Sequence, residues 1–175
     1  VDQDEHGFDA LLRKNKDRIF NLLFRLTGNY HTAEDLFQET FLRAFRGLDR
    51  YEGRSRPFTW LYAIALNVYK DHARKRADGR HESALDPADH PATEGVFDPE
   101  AALLRKEENA ALQKQLSALK PGLRVPMVLF YIEGMSVGRI ADITGRSEVS
   151  IKTALHRARK QLRAALGREA LGSER

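Results

Sequence analysis

Residues 136–166 read SVGRIADITGRSEVSIKTALHRARKQLRAAL, and this stretch decides the fold of the half of the chain that contains it. SVGRIADIT has the length of a short scaffold helix, Gly145 supplies the turn, and SEVSIKTALHRARKQLRAAL is a long basic helix. In that last helix Ile151, Ala154, Leu155, Ala158, Leu162, Ala165 and Leu166 recur as one apolar stripe at about 3.6 residues per turn. The stripe commits one face to packing. Projected at about 100° per residue, the opposite face carries Val149, Thr153, His156, Arg157 and Lys160, with Ser150, Lys152 and Arg163 on its flanks. A scaffold helix, a glycine turn and a second helix with a positive outer face predict a helix-turn-helix that reads DNA.

The rest of the composition fits such a partner. The chain has 175 residues, 42% of them hydrophobic, enough for one ordinary domain or two small ones. The formal charge of +4 is modest, but it is unevenly placed. Residues 146–168 hold seven cations against Glu148, while residues 77–99 hold six carboxylates against Arg80. Phosphate is the expected counterpart of the basic segment. There are no cysteines, which excludes disulfides, thiol chemistry and cysteine-ligated zinc. No apolar run reaches the roughly 20 residues that span a bilayer, and VDQDEHGFDA is acidic and polar, unlike a secretory signal, so the expected location is cytoplasmic.

The segment ADGRHESALDPADHPATEGVFDP (77–99) has three prolines, two glycines and no apolar period, so it reads as a linker. Helical patterns over about 7–27, 33–48 and 58–76 precede it, the second including Phe37, Phe41, Ala44 and Phe45 among its apolar positions. Gly28 with Asn29 stops the first helix, and Thr32 with Asp35 opens the second. After the linker, Asp98 and Pro99 open a helix that runs to Leu119 and ends at Pro121 and Gly122. A short helix over 125–133, with Pro126 in its first turn and Gly134 at its end, leads to the helix-turn-helix. The expected fold is all-α: a first domain over 1–76, the linker, and a second domain over 100–175.

Two groups in the first domain bear on chemistry. Asp35, Gln38 and Glu39 share one helix face while Leu36, Phe37 and Phe41 turn away, a surface suited to a basic partner or simply to water. Carboxylates without a pocket, nucleophile or metal partner do not make an acid–base site. The block YEGRSRPFTWLYAIALNVYKDHARKR (51–76) interleaves Tyr51, Phe58, Trp60, Tyr62 and Tyr69 with cations. Rings can replace the stacking a base loses on leaving the duplex, at about 1–3 kcal/mol per base, while Lys and Arg hold phosphates. Helical spacing of Trp60, Leu61, Ile64, Ala65 and Val68 equally assigns some rings, Trp60 first, to a core. The six histidines show no metal-ligand spacing, and no phosphate loop or nucleophile elbow is present, so no cofactor or metal is expected.

AEDLFQETFLRAF (33–45), FTWLYAIALNVYKDHARKR (58–76) and IADITGRSEVSIKTALHRARKQL (140–162), in that order around a linker, resemble the bacterial sigma factors of the extracytoplasmic-function group. The resemblance implies a promoter-recognition subunit of RNA polymerase that is not itself an enzyme. It implies that Asp35, Gln38 and Glu39 face the clamp coiled-coil of the largest polymerase subunit, and that the second domain meets the flap of the second subunit. It implies capture of melted minus-ten bases by Arg54, Ser55, Phe58, Tyr62, Asn67, Lys70 and Arg74. It implies reading of the minus-thirty-five element by Ser147, Val149, Ser150, Lys152, Thr153, His156, Arg157 and Lys160. An anti-sigma factor is a further implied partner, and the linker is implied to thread a polymerase channel near the path of nascent RNA.

The chain departs from the family pattern at Ala63, Leu66 and Ala154, where arginines are common, and at Val149, where glycine is common. Ala154 projects toward the packing stripe, whereas Val149 projects outward beside Thr153. Two methyl-bearing side chains there suit thymine methyls, with Lys152 and Arg157 left for phosphates or guanine. The rival reading is a two-domain regulator that binds duplex operator DNA, which accounts for the reader but not for the block over 58–76. A 23-residue linker spans about 26 Å on average and about 76 Å at full stretch, which predicts two domains that sample many separations when free.

Overall fold

The computed structural model describes residues 2–48, 51, 56–78 and 110–172, with side chains described over 13–48, 51, 56–78 and 110–165. Helix α1 (Asp2–Thr27) stops at Gly28, whose φ of 71° is the left-handed value that a Cβ disfavours. Asn29 follows in extended conformation, and its side-chain oxygen accepts from the Thr32 N–H at 2.8 Å to open α2 (Tyr30–Gly47). The expected start at Thr32 is therefore corrected. Asn29 caps three residues earlier because its side chain reaches the third amide of the new helix, and Thr32 already lies inside it.

Helices α1, α2 and α3 (Pro57–Ala77) pack against one another around Ile19, Leu22, Leu23, Leu26, Ala33, Ala44, Leu61 and Ala65. Full burial of each large aliphatic side chain contributes about 1.5–3 kcal/mol before chain entropy is counted. Pro57 starts α3 at a position where its missing amide costs nothing. Trp60 is half-buried, its ring tilted against Tyr51 at 4.9 Å between centroids and beside Gly47. One apolar position of α2 faces outward. Phe45 is 66% exposed rather than packed, because Ala33, Leu36, Thr40 and Ala44 already fill the inward stripe.

From residue 79 the predicted linker, with Asp98, Pro99, His81 and His90, lies outside the described residues. The second module begins with helix α4 (residues 110–117) and α5 (Pro121–Met127), which continues into a π-helical turn, Val128–Ile132. The helix expected to start at 125 starts at Pro121, which sits at the first helical position after extended Lys120. Pro126 is thus inside the helix. It has no N–H for the carbonyl of Gly122 four residues back, and that carbonyl accepts instead from Arg146 Nη1 at 3.0 Å. Gly134, at φ 66°, ends the π turn. Helices α6 (Val137–Thr144) and α7 (Glu148–Gly172) complete the helix-turn-helix.

The two modules pack on each other, whereas the linker length predicts many separations. One apolar core runs through both, and α3 packs on α6 and α5. Polar bonds cross the boundary as well: Tyr62 Oη donates to Glu133 Oε2 at 3.1 Å, Arg124 Nη1 to the Leu26 carbonyl at 2.6 Å, and Gln113 Nε2 to the Phe24 carbonyl at 3.4 Å. Shared apolar burial and these bonds oppose the freedom that the linker confers.

Candidate nucleic-acid interface

Ser136 caps α6 by accepting from the Arg139 N–H, Ile140 and Ile143 bury its inner face, and Gly145 turns the chain at φ 66° and ψ 25°. Ser147 then caps α7, its hydroxyl accepting from the Ser150 N–H at 3.2 Å. Along α7, Ile151, Ala154, Leu155 and Ala158 are buried as the stripe predicts. Leu162 is half-buried against them, while the Leu166 side chain lies outside the described residues.

The outer face is open. Val149 is 72% exposed, and Thr153, His156, Arg157, Lys160 and Arg163 all reach solvent. The Thr153 hydroxyl donates to the Val149 carbonyl at 2.8 Å, which leaves its methyl as the group free to meet a ligand. Lys152 lies 3.4 Å from Glu148, an exposed pair worth little in water and easily exchanged for phosphate. Ser150 has a different employment from the one its flank position suggests. Its hydroxyl accepts from Arg146 Nε at 3.2 Å and Nη2 at 2.9 Å. Arg146, counted in sequence only as one more cation, ties the N-terminal end of α7 to α5 through Ser150 and Gly122.

On α2, Asp35 and Gln38 are exposed and Glu39 is half-buried. Glu39 begins a chain of ion pairs: it holds Arg43 at 2.7 Å, Arg43 holds Asp71 of α3 at 3.1 Å, and Asp71 holds Arg74 at 3.3 Å. The bond to Glu39, then that to Asp71, raises the Arg43 guanidinium above the ordinary arginine range. Leu42 (50% exposed) and Phe45 extend the strip that starts at Asp35 and Gln38, at helical spacing. The sequence counts Phe45 among the apolar positions of this helix and does not single out Leu42. Their exposure appears only once the opposite side of α2 is seen to be filled.

On α3 the residues expected at melted DNA divide between two faces. Asn67, Lys70 and Arg74 share an exposed side. Phe58 and Tyr62 lie on the other, stacked at 4.1 Å between centroids and 28° between planes. Tyr62 is fully buried, and burial first, then the Glu133 carboxylate, pushes its phenol far above the ordinary tyrosine range. The Arg139 guanidinium sits 4.2 Å over the Phe58 ring. Arg54 and Ser55 lie outside the described residues. Among the described residues, no group of three or more His, Cys, Asp or Glu could hold a metal ion, and no helix is long and apolar enough to cross a membrane.

Residues 11–78 match the family described as Sigma-70 region 2, and residues 109–162 match Sigma-70, region 4. The chain is 37% identical over 160 residues to the ECF RNA polymerase sigma factor SigE of Mycolicibacterium smegmatis, covering 90% of this chain and 60% of that protein. It is 32% identical to the ECF RNA polymerase sigma factor SigW of Bacillus subtilis, covering 91% and 89%. It is 31% identical to the RNA polymerase sigma-H factor of Pseudomonas aeruginosa, covering 93% and 88%. Among solved structures, the sigma factor RpoE of Bartonella quintana, in complex with the anti-sigma factor NepR, superposes with a TM-score of 0.69 at 27% identity, over 92% of this chain and 97% of that one. The operator-binding regulator is not favoured, since it leaves the match over 11–78 without a purpose. Two sigma-70 regions in order on one helical chain, with relatives of the same kind matched over most of their length, make this protein a member of the extracytoplasmic-function group of the sigma-70 family.

Proposed function

We propose that this promoter-recognition factor divides its task between three surfaces. The α2 strip of Asp35, Gln38 and Glu39, extended by Leu42 and Phe45, docks on the clamp coiled-coil of the largest subunit of core RNA polymerase. An apolar centre edged by carboxylates suits a partner helix of basic character. The loop and helix carrying Arg54, Ser55, Phe58, Tyr62, Asn67, Lys70 and Arg74 hold the melted minus-ten strand. Helix α7 enters the major groove at the minus-thirty-five element, where Val149 and the Thr153 methyl meet thymine methyls, and Lys152, His156, Arg157 and Lys160 meet phosphate or guanine.

The observation that carries this reading is the outer face of α7: an exposed, cationic surface with an apolar tip at Val149, on a helix whose other side is locked in a core. Ser147 and Ser150 contribute by capping and bracing that helix. The flap of the second polymerase subunit is the proposed partner of the C-terminal module, and an anti-sigma factor a proposed inhibitor, as NepR is partnered with RpoE in the solved complex. The work is cytoplasmic, and the chemistry is the polymerase's own.

Run-off transcription with purified core polymerase, followed by sequencing of the promoters it selects from genomic DNA, tests the reading. Defined start sites are the expected result. Core enzyme that starts no RNA chains at defined sites when given this protein would overturn it.

A further inference from the structure

A cavity of about 290 Å³ opens between α1 and the first half of α2. Three half-buried rings wall it, Phe20 from α1 with Tyr30 and Phe37 from α2. Phe20 meets Tyr30 edge-on at 5.2 Å and Phe37 edge-on at 5.9 Å between centroids, so the rings form one aromatic cluster. Asp17 and Glu34, both exposed, stand at its edge, and among the described residues neither is ion-paired. Ring faces attract cations, and carboxylates beside them add a second attraction of the same sign. Lys16 also lines the cleft, but it is exposed and its long stem can carry the ammonium into water. The volume falls just below the roughly 300–1,000 Å³ of small-molecule pockets, which leaves room for a single long side chain.

Gln38 belongs both to this cleft and to the α2 strip, so the two surfaces are continuous. The strip's own carboxylates are weak anchors. Glu39 is already engaged by Arg43 at 2.7 Å, and ion pairs formed in water contribute little. Interface affinity concentrates instead where an arginine or an aromatic side chain sits in a pocket that sheds its water. We infer that the cleft between α1 and α2 seats an arginine side chain of the basic helix that docks on the α2 strip, and that this one cation anchors the complex. The inference rests on the proposed docking of that strip on the clamp coiled-coil. A planar guanidinium can lie on a ring and donate N–H groups to Asp17 and Glu34 together, a combination that an ammonium reproduces only in part.

Titration of the full chain against core RNA polymerase tests the anchor. Phe37→Leu and Tyr30→Leu each remove a ring face but keep apolar bulk, and each should weaken binding about threefold or more with the thermal midpoint near wild type. Asp17→Asn with Glu34→Gln should weaken it about tenfold, as loss of charge-assisted hydrogen bonds does, and Lys16→Ala should tighten it about twofold. Asp142→Asn removes an exposed carboxylate of α6, outside the cleft, and should bind as wild type, which separates the local effect from net charge. A photoreactive benzoylphenylalanine in place of Tyr30 should cross-link to the clamp coiled-coil beside an arginine. Wild-type affinity in both ring variants, or cross-links confined to another part of the polymerase, would overturn the inference. If Asp35→Ala with Glu39→Ala abolishes binding while the ring variants bind normally, the anchor falls and the docking strip stands. A wild-type chain that does not bind core polymerase removes both.

Discussion

Helices α7 and α3 both carry cations and groups suited to nucleic acid, yet they meet solvent in opposite ways. Helix α7 buries its small apolar side chains and presents Val149, Thr153, Arg157 and Lys160 without obstruction. Helix α3 presents Asn67, Lys70 and Arg74, but its two best stacking rings lie beneath the other module. A duplex reader can be finished at the moment of folding, because the major groove is accessible in intact DNA. A strand-capturing surface has no ligand until the duplex melts, and a stack of exposed rings would meanwhile be an apolar patch.

The largest effect that can break this contrast is expected at Tyr62. Tyr62→Ala should cost about 3–5 kcal/mol of stability, as truncation of a buried ring does, read as a lowered denaturant midpoint. A midpoint within error of wild type would show that Tyr62 is not held as described. On the exposed side, Phe45→Asp should cut core-polymerase binding about 30-fold or more while leaving the thermal midpoint near wild type, as loss of a contact hot spot does. Retained pull-down would remove the apolar extension of the docking strip, and Asp35→Ala with Glu39→Ala then isolates the carboxylates. Val149→Gly should change the preferred minus-thirty-five sequence by about 1–3 kcal/mol at one base position, measured by promoter selection. Lys160→Ala should weaken binding evenly across sequences and lower the salt slope by about one.

The smallest effect is alkaline. The folded chain keeps the Tyr62 proton to higher pH than the unfolded chain does, so the unfolded state binds fewer protons above the ordinary tyrosine value of about 10. Stability should therefore fall as pH rises through that value, and less steeply in Tyr62→Phe. Equal slopes for the two proteins would locate the alkaline loss elsewhere, Tyr69 being the next candidate, since burial raises its phenol also.

What was legible in the sequence was local. The α7 stripe, the glycine stops at Gly28, Gly134 and Gly145, and the exposure of Val149 each follow from a few neighbouring residues and a fixed helical period. Asn29 was read as part of a stop because its capping oxygen acts on a residue three positions ahead, in competition with an equally plausible Thr32. The exposure of Phe45 is not legible in the pattern, because α2 has apolar residues on more than one side, and period alone cannot say which side a neighbouring helix covers. The pairing of Tyr62 with Glu133 joins residues 71 positions apart across a linker, beyond any pattern a window can hold. The family resemblance implies roles for the surfaces but says nothing of their accessibility.

Arg146 follows the same logic, since its partners become visible only once α5 is known to start at Pro121. That placement turns Pro126 from a tolerated first-turn residue into the cause of a vacant acceptor at Gly122, which the arginine fills. The two positions should therefore behave as a coupled pair. With Pro126→Ala the helix can satisfy Gly122 by itself, and Arg146→Ala should then be tolerated better than in the parent. A relative that lacks the proline has less reason to keep a guanidinium in the turn, which leaves that site free to take whatever residue its own promoters favour.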